Sequence, residues 1–454
     1  MSEQPDHDDE QSKNPFAGTP FEPIFGGMMS GDPQALAAMM SSLQRVFEPH
    51  EGSINWSFAH DLARQVVAQH PDPSPDGGVV SRLRDVAQVA DHWLDQATEL
   101  PATTAPIAAW SRAEWVEASM PTWERLVDPV AANVVSAMQQ ALPGEAQAMA
   151  GPMLGLLNQV GSALFTQQFG QAVGDLSREV LSATDIGVPF GRDGQAAVVI
   201  DNVAGFGEGL GISSDDVLVY VVLRELAHQR LFLRAPWLRT NLISAVEAYG
   251  HGISIDTGKI ESSLASIDPS NMAALQEAFN GGMFEPDETP EQQAALQRLE
   301  TTLALIEGWV DDVVSQATDG RMPNAAALRE TTRRRRALGG PAEQTFSALV
   351  GLELRPRRLR DAAALWGALR SRRGTTARDA VWEHPDLLPT AADLDDPLAF
   401  SEREPAEIAA ESEDFDAALQ ELLDNPDQVG DGGNESGPGA SDAEGGTSEG
   451  SPDQ

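Results

Sequence analysis

The run Val217–Leu223 constrains this chain more than any other stretch. Seven consecutive apolar residues lie between Ser213-Ser214-Asp215-Asp216 and the polar segment Arg224-Glu225-Leu226-Ala227-His228. Ser213 or Ser214 is suited to cap a helix running through Asp216, Val219, Val222, Glu225, His228 and Phe232. A helix this apolar belongs in an interior.

The neighbouring patterns are helical as well. Within a helical region from about Pro33 to Leu142, apolar residues recur at helical spacing in Val79, Val80, Leu83, Val86, Val89, Ala90, Trp93 and Leu94. Trp110, Trp115 and Trp123 have the spacing of core anchors. Pro236 suits the first turn of a helix carrying Leu238, Leu242, Val246 and Tyr249, which Gly252 can end. Thr289 with Gln292 forms a capping-box pattern for a helix through Leu296, Leu299, Leu303, Ile306 and Val310. The best strand candidate is the short, partly β-branched Ala196–Ile200. The expected fold is mostly α with little β.

Four regions are expected along the 454 residues. Residues 1–33, rich in Pro, Gly and acids, read as a flexible arm, and residues 34–180 as an N-terminal helical region. Residues 181–400 hold the Arg224–His228 helix and an arginine-rich segment, and residues 401–454 an acidic, disordered tail. Within that tail, Phe415–Leu423 has the spacing of a local helix or docking peptide. The glycines between Gly151 and Gly174, several of them four apart, suit close helix packing; the polar Asn158, Gln159, Gln167, Gln168 and Gln171 argue against a membrane face.

Composition removes several classes of function. With no cysteine there are no disulfides, thiolate metal sites or cysteine nucleophiles. The formal net charge of −40 argues against nonspecific binding to nucleic acid or anionic lipid. No apolar run reaches the roughly 20 residues of a membrane span, and the acidic N-terminus is unlike a secretory signal, so a cytoplasmic protein is expected. Residues 329–378 carry 13 arginines, which form either a solvated face or a set of partners for carboxylates elsewhere in the fold. There is no GxSxG elbow, P-loop or dinucleotide fingerprint, and the glycine-rich Gly205–Gly211 reads as a turn.

Arg224–His228 matches the zinc-protease signature HExxH with arginine in place of the first histidine. The intact signature sets two imidazole ligands one helical turn apart and a glutamate between them as general base. Glu225 fills the base position and His228 the second ligand position. Arg224 stays protonated and cannot ligate a cation. Third-ligand candidates are Glu247, 19 residues after His228 and followed by His251 one turn on, and Glu307. The alternative is an ordinary helix with an internal Arg–Glu–His polar cluster, the two glutamates being surface residues or arginine partners.

Several stretches together resemble an actinobacterial family of zincin-like metallopeptidases. They include Ile54-Asn55-Trp56, Trp110-Ser111-Arg112-Ala113-Glu114-Trp115, Leu223–Phe232 leading into Pro236-Trp237-Leu238, and Glu307-Gly308-Trp309. Gly340-Pro341-Ala342-Glu343, Leu354–Ala362 and Trp382-Glu383-His384-Pro385 continue the likeness, which covers roughly residues 50–395. It implies a helical zincin-like domain and a zinc-dependent hydrolase acting on a peptide or protein. It also implies Glu225 as base, with His228 and either Glu307 or Glu247 as ligands. Members carry a full HExxH; those associated with biosynthesis of a deazaflavin coenzyme include some with histidine where this chain has Trp309. If the centre is active, zinc would bring the pKa of a bound water to about 7 and Glu225 would take its proton. The other reading is an inactive pseudo-enzyme: Arg224 stands in the former metal position, pairs with Glu247 or Glu307, and the protein works by binding.

Overall fold

A computed structural model describes residues 52, 54–140, 162–163, 165–251, 289–337 and 358–403. The expectations for residues 1–33, Gly252, the glycines between Gly151 and Gly161, and Phe415–Leu423 lie outside them.

The helices are α1 (Trp56–Val67), α2 (Gly77–Leu94), α3 (Arg112–Gln140), α4 (Ile200–Phe206), α5 (Ser214–Arg234), α6 (Pro236–His251), α7 (Pro290–Thr318), α8 (Ala325–Ala337), α9 (Leu359–Ala380), α10 (Ala391–Asp395) and α11 (Pro397–Glu402). A further helical stretch ends near residue 176. The strands are β1 (Ala108–Trp110) and β2 (Ala197–Val199). The fold is mostly α, as its periodicities require.

Capping chemistry sets the ends of the central helices. Ser213 accepts a hydrogen bond from the backbone N–H of Asp216 and starts α5. Thr289 and Gln292 cap each other reciprocally and start α7. Asp76 accepts from Val79 N at the start of α2.

Helix α7 is the axis of the core, with every residue from Leu303 to Val314 buried. It packs along α6 and α9 and crosses α5, which has α2 on another side. Gly308 permits the closest of these approaches: a Cβ there would lie 2.6 Å from Ala362 Cβ and 2.7 Å from Ala363 N on α9. Beside it, Trp309, Trp366 and Trp382 are fully buried, with Trp366 stacked on Trp382 at a centroid separation of 5.3 Å. Such pairs contribute about 0.5–1.5 kcal/mol beyond their burial. Trp115 and Trp123 pack on Phe190, and Trp123 also meets Phe169. The tryptophans singled out from spacing are thus core residues. Gly170 and Gly174 lie hard against α1, each Cβ position being 2.6 Å from a side chain of that helix (Leu62, Val66). This is the close helix packing expected of the small-residue spacing.

The strand expected at Ala196–Ile200 forms as β2 and pairs in parallel with β1, Ala109 opposite Val198. On its other side Ser182 bridges Val198 in antiparallel sense. Ala183 N donates to Ala197 O and Val199 N donates to Leu181 O. This small sheet, buried along β2, is the surface on which the carboxylate of Glu225 is anchored.

Candidate functional site

Arg224, Glu225 and His228 lie in the buried second half of α5, where Glu225 is 0% exposed and His228 2%. On the facing side α7 presents Glu307, also 0% exposed. The Arg224 guanidinium donates from Nη2 to Glu307 Oε2 across 2.6 Å. His228 Nε2 lies 3.2 Å from the other oxygen, Oε1. Its Nδ1 donates to the Arg224 carbonyl across 2.8 Å. From α8, Arg336 Nη2 donates to the same Oε1 across 3.2 Å. Burial works to raise the pKa of Glu307, but Arg336, then Arg224 and His228, outweigh it and hold the carboxyl well below the usual carboxylate range. Burial likewise opposes the charge of Arg224, and Glu307 outweighs it and raises the guanidinium pKa.

One turn along α7, Asp311 extends the cluster. Arg329 holds it through a bidentate contact, Nε lying 2.9 Å from both oxygens, and Arg333 Nη2 donates across 2.6 Å. Arg329, Arg333 and Arg336 therefore occupy one face of α8 at helical spacing and lay their guanidinium groups along α7. Tyr220, one turn before Arg224, is buried beside this group, and that burial raises its phenol pKa.

Glu225 faces elsewhere. Its Oε2 accepts from both the backbone N–H and the hydroxyl of Thr184. Its Oε1 accepts from Ala197 N at 3.3 Å and from Gln229 Nε2 at 3.0 Å. These four donors occupy the acceptor capacity of a carboxylate. Glu225 thereby serves the backbone N–H of β2 that the sheet leaves without a strand partner.

Of the residues expected from sequence, the fold brings His228 and Glu307 together with Arg224. Glu247 is half-buried on α6 and makes none of the contacts to His228 or Glu307. His251 is exposed, its Nδ1 2.8 Å from the Glu247 carbonyl. Arg336, Asp311 and Thr184 were not anticipated as site residues. Gln229, four after Glu225 on one helix, could have been found from spacing alone.

The zinc ion that the HExxH pattern implies can be tested against this donor set. A catalytic zinc site needs about three protein ligands. Here one imidazole and one carboxylate meet, and both oxygens of that carboxylate already accept from guanidinium groups. Two permanent cations border the position where a third would have to enter. Among the described residues no group of three or more His, Asp or Glu side chains is arranged to hold a metal. The residues present do not fit zinc.

The arginine-rich segment is explained by the same principle. Arg370 and Arg378 pair with Asp312, Arg335 with Asp185, Arg358 with Asp395 and Arg372 with Glu402. Arg378 is fully buried, and its neighbour Asp379 accepts from Thr98, Glu99 N and Trp309. These arginines dock on carboxylates within the fold. Among the described residues no helix is long and apolar enough to cross a membrane.

Comparison with solved structures finds a protein from Chloroflexus aurantiacus, a provisionally assigned hydrolase with a novel fold. It is 21% identical, with a TM-score of 0.54 over 77% of this chain and 97% of that one. At that identity the likeness concerns the fold. Nothing matches among curated proteins. The model of the zincin-like metallopeptidase family matches residues 54–401, which span α1 to α11 and include Arg224, Glu225, His228 and Glu307. The chain belongs to the zincin-like metallopeptidase family.

Proposed function

We propose that this chain is a zincin-like protein whose metal centre has been replaced by an ion cluster, and that it acts by binding a protein or peptide. The observation that carries this reading is the 2.6 Å contact from Arg224 to Glu307, with His228 on the other oxygen of the same carboxylate. The guanidinium sits at the first-ligand position of the motif and bonds the residue best placed to be the third. A fixed monocation there holds the carboxylate that a dication would otherwise hold. Glu225, the base of the intact motif, is a structural carboxylate in this reading, tying α5 to β2.

Arg224→His tests the proposal directly. Restoring the imidazole is expected to raise zinc uptake, measured by elemental analysis after dialysis against zinc. Because Arg336 also bonds Glu307, Arg224→His combined with Arg336→Met is expected to raise it further. Zinc content unchanged in both variants would mean that Arg224 is not what keeps the metal out.

A further inference from the structure

A cleft of about 220 Å³ lies beside α4. Asn202, Gly205 and Phe206 of α4 line it, together with Leu181. Arg112, Arg178 and Arg335 reach it from three different segments, and Glu179 and Asp201 stand beside them. Arg335 is paired with Asp185, which leaves Arg112 and Arg178 to face Glu179 and Asp201 across the lining.

Arg112 is set in place before any ligand arrives. Its Nε donates to Asn202 Oδ1 across 2.8 Å and its Nη1 to the Pro71 carbonyl across 3.3 Å. Asn202 is buried, and its amide nitrogen donates to the carbonyls of Ser177 and Val180 at 2.8 and 2.7 Å, so its oxygen can only face the arginine. The Nη2 of Arg112 is left over. Arg335 is held by Asp185 and the Glu179 carbonyl. The Arg178 guanidinium has neither a hydrogen bond nor an ion pair among the described residues.

We propose that this cleft binds a small zwitterion of the amino-acid class. Its carboxylate would lie on Arg112 and Arg178, its ammonium group on Glu179 or Asp201, and its apolar side chain on Phe206 and Leu181. Arginine forks suit carboxylates. The two acids disfavour a multiply charged anion and supply a partner for an amine. The volume is below the roughly 300–1,000 Å³ of sites for larger ligands, which restricts the occupant to single-residue size. This inference rests on the cleft alone and is independent of whether zinc binds.

The test is calorimetric titration of the full chain with each of the twenty amino acids. The tightest binder is then compared with its N-acetyl and amide forms, and phenyl phosphate is titrated alongside. Saturable binding is expected for the free amino acid and much weaker binding for both blocked forms. Arg178→Ala, at an exposed residue whose side chain has no partner among the described residues, is expected to weaken binding by about tenfold or more, as befits loss of a charge-assisted hydrogen bond. Gly205→Leu adds bulk at a residue lining the cleft without altering charge; a Cβ there meets nothing within 4 Å, so the fold should accept it. Binding to this variant is expected to be lost. The proposal is overturned if none of the twenty binds, if both variants bind like the parent, or if either blocked form or phenyl phosphate binds as tightly as the free amino acid.

Discussion

Arg224 on α5 and Glu307 on α7 are joined by a 2.6 Å ion pair in which the carboxylate is fully buried and the arginine side chain only 13% exposed. The pair crosses the contact between the two most buried helices. It occupies the helix face where an intact motif would put a metal ligand.

Removing either partner unbalances the charges of the buried cluster. Arg224→Ala leaves Glu307 with Arg336 and His228. Glu307→Gln leaves two guanidinium groups facing a neutral amide. Breaking a buried pair costs about 3–5 kcal/mol. Both variants are expected to lower the urea midpoint, and Glu307→Gln to lower it more.

The depressed pKa of Glu307 sets a pH dependence. The folded protein keeps this carboxyl ionised below 4.5, the ordinary value, at which the unfolded chain takes up a proton. The unfolded state then binds more protons, so stability rises with pH in that range. The contribution is complete above pH 4.5 and is lost progressively as pH falls below it. Urea titrations between pH 3 and 7 are expected to show a shallower acid loss in Glu307→Gln than in the parent. Equal slopes would mean that Glu307 is not held ionised by its neighbours.

Glu225→Gln separates a structural carboxylate from a catalytic one. All four contacts to Glu225 come from donors. An amide would turn one acceptor into a donor facing another donor, at a cost of about 1–3 kcal/mol. A lower melting temperature is expected. An unchanged melting temperature would contradict the anchoring role.

Gly308→Ala reverses a general rule. In an exposed helix this change stabilises by about 1 kcal/mol. Here the new methyl meets α9 at 2.6–2.7 Å, and overpacking of this kind costs about 1–3 kcal/mol. Thermal denaturation should show net destabilisation.

Much of the frame was legible before any coordinates. Ser213 or Ser214, and Thr289 with Gln292, marked helix starts because caps are local chemistry, read within four residues. The apolar run Val217–Leu223 announced a buried helix, and Ala196–Ile200 a strand. The partner of that strand was not legible, because Ala108–Trp110 has three residues and no alternation to distinguish it. The choice between Glu247 and Glu307 was also closed to sequence, since both lie on helices of similar pattern and their facing depends on how helices cross. Arg336 was hidden for the same reason: within an arginine run, only the rotation of α8 decides which guanidinium reaches Glu307.

In the reading proposed above, Arg224 and its carboxylate take the place of zinc. Elemental analysis of full-length protein purified without an affinity tag, before and after dialysis against zinc, tests it most directly. The expected result is well below one zinc per chain in both samples. One tightly held zinc per chain that survives extensive dialysis into metal-free buffer would contradict it.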